Sequence, residues 1–126
     1  MAESTEQNIL FSFKKGVDPN EIGMVTIKLL MLFTGFVEFA TRNSLPVVIT
    51  SIKEHVEERV SRSHEQGRAI DVSINGWSYF DIDTVCSYIN NKYEDIAAIS
   101  YSDNVPRACV YHDVGMGRHI HLQVKY

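Results

Sequence analysis

Two segments in the second half of the chain alternate between apolar and polar residues, and this alternation constrains the fold more than any other feature. In residues 117–126, GRHIHLQVKY, one side is formed by His119, His121, Gln123 and Lys125 and the other by Ile120, Leu122, Val124 and Tyr126. Residues 69–74, AIDVSI, alternate in the same way. A period of two is that of a β-strand with one face against a core. We therefore predict two strands of a sheet with one apolar face and one polar face.

The longest apolar segment, residues 22–40, predicts a helix. Its polar positions are few and fall at helical spacings, at Lys28, Gly35, Glu38 and Arg42. This spacing gives one narrow polar stripe on a helix otherwise surrounded by core. Each charge inside a bilayer would cost about 2.5–3.5 kcal/mol, so a buried helix is favoured over a membrane span. We expect the helix to begin at Asp18 or Asn20 as N-cap and to end at about Arg42 or Asn43.

The remaining pattern predicts an α+β fold. Strands are predicted at residues 47–52, 69–74 and 117–126, with shorter ones within 97–102 and 107–113. A second helix is predicted over residues 81–93, with Asp81 or Asp83 as its N-cap. We expect a single domain, residues 9–126, with helices packed on one side of a mostly antiparallel sheet. Residues 1–8 are expected to be disordered.

Charge, cysteines and the start of the chain limit the function classes. The net charge is −4 with a pI near 5.7, which argues against a nucleic-acid partner. Cys86 and Cys109 are far apart and form no C-x-x-C motif, so they are typical of small hydrophobic residues, with a disulfide between them left open. The start, MAESTEQNIL, lacks the basic and apolar regions of a secretory signal, so export by that route is not expected.

Side chains able to bind a metal occur in a polar loop and in the two alternating strands. His64 precedes Asp71 in the run HEQGRAID, where Gly67 allows a tight turn into the strand. His119 and His121 follow as an H-x-H pair on the last strand. A loop histidine, a strand aspartate and a strand histidine are the nitrogen and oxygen donors that hold catalytic zinc while leaving a position for water.

These residues resemble the motifs of the zinc D-Ala-D-Ala metallopeptidases, which share their fold with the hedgehog signalling domain. The family's first motif, S-x-H-x-x-G-x-A-x-D, is matched by His64, Gly67, Ala69 and Asp71. The second motif, in the H-x-H subgroup of the family, is matched by residues 119–121. The resemblance covers the chain from about residue 22 to its end.

The resemblance implies a hedgehog/DD-peptidase-like fold that binds Zn²⁺ through His64, Asp71 and His121. It implies that His119 contacts the zinc-bound water, which acts as nucleophile, or the developing oxyanion. The substrate would be an amide bond in a peptidoglycan stem peptide, cut by a D-Ala-D-Ala carboxypeptidase or by an endopeptidase of the endolysin type. A cell-wall enzyme of this kind without a signal peptide suggests a bacteriophage source, with accumulation in the cytoplasm or carriage in the virion.

The sequence departs from the family pattern at three places. Arg62 stands where the first motif has serine, and Arg118 stands where many relatives carry a catalytic carboxylate. The arginine that binds the substrate carboxylate in many relatives is replaced by Lys53. Arg68, Arg62 and Arg118 are the remaining candidates for that role, since a guanidinium matches the geometry of a carboxylate. The alternative function is a zinc-binding structural or interaction module with the same fold and no catalytic activity.

Overall fold

The computed structural model describes residues 10–52, 66–100, 103–114 and 117–126. In chain order its main elements are β1 (Ser12–Phe13), α1 (Ile27–Arg42), β2 (Val48–Ser51), β3 (Ala69–Ser73), α2 (Tyr79–Lys92), β4 (Ala98–Ile99), β5 (Pro106–Arg107), β6 (Cys109–Val114) and β7 (Gly117–Gln123). Five strands form one sheet in the order β1-β2-β3-β7-β6, and β4 pairs with β5 separately. All pairs are antiparallel except β1 with β2. The predicted α+β class is confirmed, with a mostly antiparallel sheet and helices on one side.

The strands that carry the predicted site were correctly located. The runs at 47–52, 69–74 and 117–126 form β2, β3 and β7, and the last two strands pair directly. On the side of the helices, β3 and β7 bury the alternating set Ile70, Val72, Ile120 and Leu122 completely. Removing such side chains from water contributes about 1.5–3 kcal/mol each. The opposite face carries the polar set of both strands.

Helix α1 ends at Arg42 as predicted but begins later than expected. Asp18 does cap a helix, but this is a separate 3₁₀ helix, Pro19–Met24, in which its side chain accepts a hydrogen bond from the backbone N–H of Asn20. The extended backbone of Val25 then separates this 3₁₀ helix from α1. Thr26 is the N-cap of α1, with its hydroxyl accepting from the N–H of Leu29.

The expectation that α1 is surrounded by core was wrong. One face of the helix is buried, but Ile27 is 79% exposed and Met31 is 55% exposed. The helix therefore lies over the sheet with one side in solvent. Only the side that packs on the sheet is buried, although apolar residues occur on both sides. No helix within the four described segments is long and apolar enough to cross a bilayer.

Gly35 permits the close approach of α1 and the residue that follows α2. A Cβ added at Gly35 would lie 1.8 Å from the phenolic oxygen of Tyr93. A glycine in a helix interior costs about 1 kcal/mol relative to alanine. That cost is offset here because the tyrosine ring packs directly against the helix backbone.

Helix α2 begins at a residue that the sequence analysis did not select. Ser78 is its N-cap and accepts a hydrogen bond from the N–H of Asp81, whose carboxylate accepts from the N–H of Ser78. The prediction of Asp81 or Asp83 as N-cap was therefore wrong, because Asp81 occupies the third helical position of a capping box. The helix buries Ile82, Val85 and Ile89.

Candidate metal centre

The register of three neighbouring strands brings the polar residues of one sheet face together. Asp71 on β3 lies opposite His121 on β7, and Ser73 lies opposite His119. On the other side of β7, His112 of β6 lies opposite His119. Side chains of directly paired residues have Cβ atoms about 4.5–5.5 Å apart, so this register places one carboxylate among three imidazoles.

Asp71 and His121 form the closest contact in this group. The Oδ1 atom of Asp71 lies 2.8 Å from Nδ1 of His121, and the two residues are only 5% and 8% exposed. The Nε2 atom of His119 lies 3.7 Å from the same carboxylate oxygen, which is beyond hydrogen-bond distance. Two predicted ligands and the predicted catalytic histidine therefore share one small region.

Gln123 determines which nitrogen of His121 carries hydrogen. The amide nitrogen of Gln123 donates to the backbone carbonyl of Arg107 over 2.9 Å, and a carbonyl oxygen can only accept. The amide oxygen therefore faces His121, where it lies 3.1 Å from Nε2. Since that oxygen is also only an acceptor, Nε2 of His121 must be the donor.

This assignment leaves an electrostatic requirement at the other nitrogen. With hydrogen on Nε2, a neutral His121 presents the lone pair of Nδ1 to the carboxylate oxygen of Asp71. Two acceptor atoms 2.8 Å apart repel each other unless a positive charge lies between them. That charge is supplied either by a proton held by the pair or by a metal ion bound to both atoms.

The donor chemistry of the pair fits zinc. Carboxylate oxygen and imidazole nitrogen are both zinc donors, with bonds of about 2.0–2.2 Å. Two such donors at a tetrahedral angle lie about 3.4 Å apart. The Nδ1 and Oδ1 atoms, now 2.8 Å apart, would separate by roughly half an ångström to hold the ion. The hydrogen bond from Nε2 to Gln123 is the outer contact that commonly orients a ligating histidine.

The third predicted ligand, His64, lies outside the described residues, as does Arg62. Among the described residues, no group of three or more histidine, cysteine, aspartate or glutamate side chains is arranged to hold a metal ion. A complete zinc site thus depends on a further donor to join Asp71 and His121, and the motif resemblance predicts His64 for that place.

Two residues of this region were not selected as site residues from the sequence. The ring of His112 stacks on that of His121 with centroids 5.1 Å apart and an angle of 18° between the planes, and it lies 5.3 Å from the ring of His119. Its place follows from the pairing of β6 with β7, which could have been counted outward from the Gly-Met-Gly run at 115–117 of the sequence. Gln123 was on the histidine side of the strand pattern, but its role depends on the distant carbonyl of Arg107.

The two described arginines proposed for substrate binding have other partners. Arg118 alternates with His119 along β7 and therefore projects from the opposite face, where it donates to the hydroxyl of Tyr79 over 2.7 Å. Arg68 donates to the backbone carbonyl of Val124, and its guanidinium lies 4.3 Å from the ring centre of Tyr126.

The comparisons with known proteins assign no family. No family model, no curated protein and no solved structure matches this chain. Inference about function therefore depends on the motif residues and on the geometry around Asp71 and His121.

Proposed function

We propose that the protein is a zinc-dependent peptidase with a hedgehog/DD-peptidase-like fold that hydrolyses an amide bond in peptidoglycan stem peptides. In this proposal His64, Asp71 and His121 bind Zn²⁺, and cleavage is of the D-Ala-D-Ala carboxypeptidase or endopeptidase type. The observation that carries it is the buried 2.8 Å contact between two atoms of zinc-donor type, Oδ1 of Asp71 and Nδ1 of His121. The run HEQGRAID supports it by supplying a third donor, His64, at the family's spacing.

Each residue near this contact has a distinct task in the proposed reaction. Zinc, when bound, would polarise the scissile carbonyl and lower the pKa of water to about 7. Gln123 holds the His121 ring so that Nδ1 faces Asp71. His119 carries a proton at Nε2 from the attacking water to the leaving amine, because this atom lies 3.7 Å from Oδ1 of Asp71, beside the proposed ion.

Arg62 is the arginine that we assign to a substrate carboxylate if the enzyme is a carboxypeptidase. Arg118 projects from the other face of the sheet toward Tyr79, and Arg68 donates to Val124. Arg62 stands two positions before His64 in the sequence, next to a proposed ligand of the ion. A planar guanidinium at this position would pair with the terminal carboxylate of a stem peptide through two parallel hydrogen bonds.

A zinc-binding module without turnover is the second candidate. The observation that favours it is Arg118, which occupies the position of the catalytic carboxylate in many relatives and is bonded to Tyr79. Without that carboxylate, proton transfer depends on His119 alone. The two candidates therefore share the zinc ligands and differ only in whether His119 supports hydrolysis.

Metal analysis combined with a hydrolysis assay separates these candidates. Purified protein is analysed for bound metal and then incubated with purified muropeptides, with products followed by mass spectrometry. We expect one zinc ion per chain and hydrolysis that falls about 10²–10⁴-fold in His119→Ala, with zinc retained. Asp83→Asn, an exposed aspartate on α2, serves as a control that should leave both hydrolysis and bound zinc unchanged. Wild-type protein that holds zinc but leaves every muropeptide intact would favour the binding module, and protein that binds no zinc would overturn both candidates.

A further inference from the structure

Helix α2 and strand β6 bring the two cysteines of the chain into contact. The sulfur atoms of Cys86 and Cys109 are 3.1 Å apart, and both residues are free thiols. A disulfide bond is about 2.05 Å long, so the two sulfur atoms are only about 1 Å beyond bonding distance. Cys109 is buried, whereas Cys86 is partly accessible.

Asn90 fixes the backbone around this thiol pair. Its side-chain oxygen accepts hydrogen bonds from the N–H groups of Ala108 and Cys109 over 2.7 and 2.8 Å. Its amide nitrogen donates to the carbonyl of Cys109 over 2.9 Å. Asn90 lies on α2 one turn after Cys86 and is therefore a bridge between the two elements. The thiols are held together by the fold and need little backbone movement to react.

We propose that Cys86 and Cys109 form an oxidation site that closes to an intrachain disulfide when a low-molecular-weight disulfide such as oxidised glutathione is present. The thiolate of Cys86 attacks the small disulfide, a mixed disulfide forms, and one glutathione thiolate leaves. Cys109 then loses its proton and attacks the sulfur of Cys86, which releases the second glutathione thiolate. The two protein thiols are oxidised and one small disulfide is reduced to two thiols.

The accessibility of the two sulfur atoms sets the order of these steps. Burial, together with the neighbouring Cys86 thiol, raises the pKa of the Cys109 thiol well above its usual range. Cys109 is therefore a poor first nucleophile, and the partly accessible Cys86 meets the oxidant. Attack by Cys109 on the mixed disulfide then follows within the protein, because its sulfur atom lies 3.1 Å from that of Cys86.

The cross-link would give an edge strand a covalent attachment to a helix. β6 is the last strand of the five-stranded sheet and pairs with β7. A disulfide between Cys86 and Cys109 would also join these two positions in the unfolded chain and so form a closed loop. Loss of that unfolded-state freedom predicts a rise in Tm of about 10 °C for the oxidised protein.

Oxidation of the 126-residue chain tests this inference directly. Wild type is incubated with excess oxidised glutathione, alkylated and digested, and the peptides are identified by mass spectrometry. We expect a loss of two hydrogens from the intact mass, a linked peptide containing Cys86 and Cys109, and reversal by dithiothreitol. Cys109→Ser should stop with glutathione attached at Cys86, whereas Cys86→Ser should remain largely unmodified.

Two outcomes would overturn the proposal. One is wild-type protein that accumulates glutathione on Cys86 while Cys109 remains alkylatable after denaturation. The other is oxidation that yields only disulfide-linked dimers. Both readouts come from the wild-type chain, so they decide the question even if a serine variant folds poorly. The result is independent of the proposed peptidase activity, because neither thiol belongs to the metal centre.

Discussion

The two faces of β3 and β7 are both buried, but different forces stabilise them. On the helix side, Ile70 and Ile120 are completely buried, and burial of such apolar surface is favourable whatever the exact orientation of the side chain. On the other side, Asp71 and His121 are almost as buried. Burying a polar group without a partner costs roughly 2–7 kcal/mol, so these residues need defined contacts.

The apolar face determines which polar atoms meet. A shift of one residue in the pairing of β3 with β7 would turn Ile120 toward the wrong side of the sheet, so burial of the apolar set fixes the register. The same register places Asp71 opposite His121. The chemistry of the polar face is thus a consequence of the packing on the apolar face, and the two faces should respond differently to mutation.

Ile120→Ala tests the apolar face and should have the largest effect on stability. Truncation of a completely buried isoleucine leaves a cavity, and we expect the free energy of unfolding to fall by about 2–5 kcal/mol. Urea unfolding of the metal-free protein measures this change. Ile120→Val, the matched control, should cost only about 0.5–1.5 kcal/mol. Equal losses in the two variants would contradict the complete burial of the Ile120 side chain.

Asp71→Asn separates stability from metal binding on the polar face. The asparagine amide can donate to the Nδ1 lone pair of His121, so the metal-free protein should keep its free energy of unfolding within about 1 kcal/mol. Zinc affinity should fall at least about 100-fold, or 2.7 kcal/mol, because the anionic donor is lost. Competition with a chromophoric chelator measures the affinity.

Asp83→Asn, an exposed aspartate on α2, is the control for Asp71→Asn and should change neither quantity. A loss of several kcal/mol in Asp71→Asn without any change in zinc affinity would mean that Asp71 serves only to neutralise a protonated His121. In that case the zinc proposal would fail, while the description of the buried pair would stand.

The sequence pattern was sufficient where one face of an element is buried. β3 and β7 were predicted because their alternation extends over several residues, and α1 was predicted because the few polar positions of its apolar segment fall at helical spacings. β1 was missed because two residues carry no period. The start of α2 was misplaced because an acidic residue within a capping box has the same composition signal as an N-cap.

In the candidate site, too, some contacts could be predicted from the sequence pattern and others could not. The placement of Asp71 near His121 could be anticipated from two motifs, because both lie on strands with a defined polar side. The tautomer of His121 could not, since it depends on the carbonyl of Arg107 reached through Gln123. The contact of Cys86 with Cys109 could not be predicted from the sequence either, because it depends on the packing of α2 on β6.

Gln123→Met tests whether zinc binding depends on the orientation of the His121 ring that Gln123 maintains. Methionine has a similar volume but cannot accept the hydrogen from Nε2 of His121. We expect zinc affinity to fall about 10–100-fold, which corresponds to about 1.4–2.7 kcal/mol. Nitrogen NMR of the zinc-bound protein should show hydrogen on Nε2 of His121 in wild type. Lys125→Met, an exposed position on the same strand side, should leave the affinity unchanged.

His112→Ala should have the smallest effect, and whether it lowers the free energy of unfolding or the zinc affinity distinguishes packing from metal binding. The His112 ring stacks on His121, and an aromatic contact of this kind is worth about 0.5–1.5 kcal/mol. We expect a loss of that size in urea unfolding, substantial recovery in His112→Phe, and zinc affinity within a few-fold of wild type in both. If both variants instead lose zinc, His112 is itself a ligand, and the three-donor set of His64, Asp71 and His121 must be revised. Recovery by phenylalanine would show that β6 contributes a flat surface that holds His121 in place, which is the role its position across β7 assigns to it.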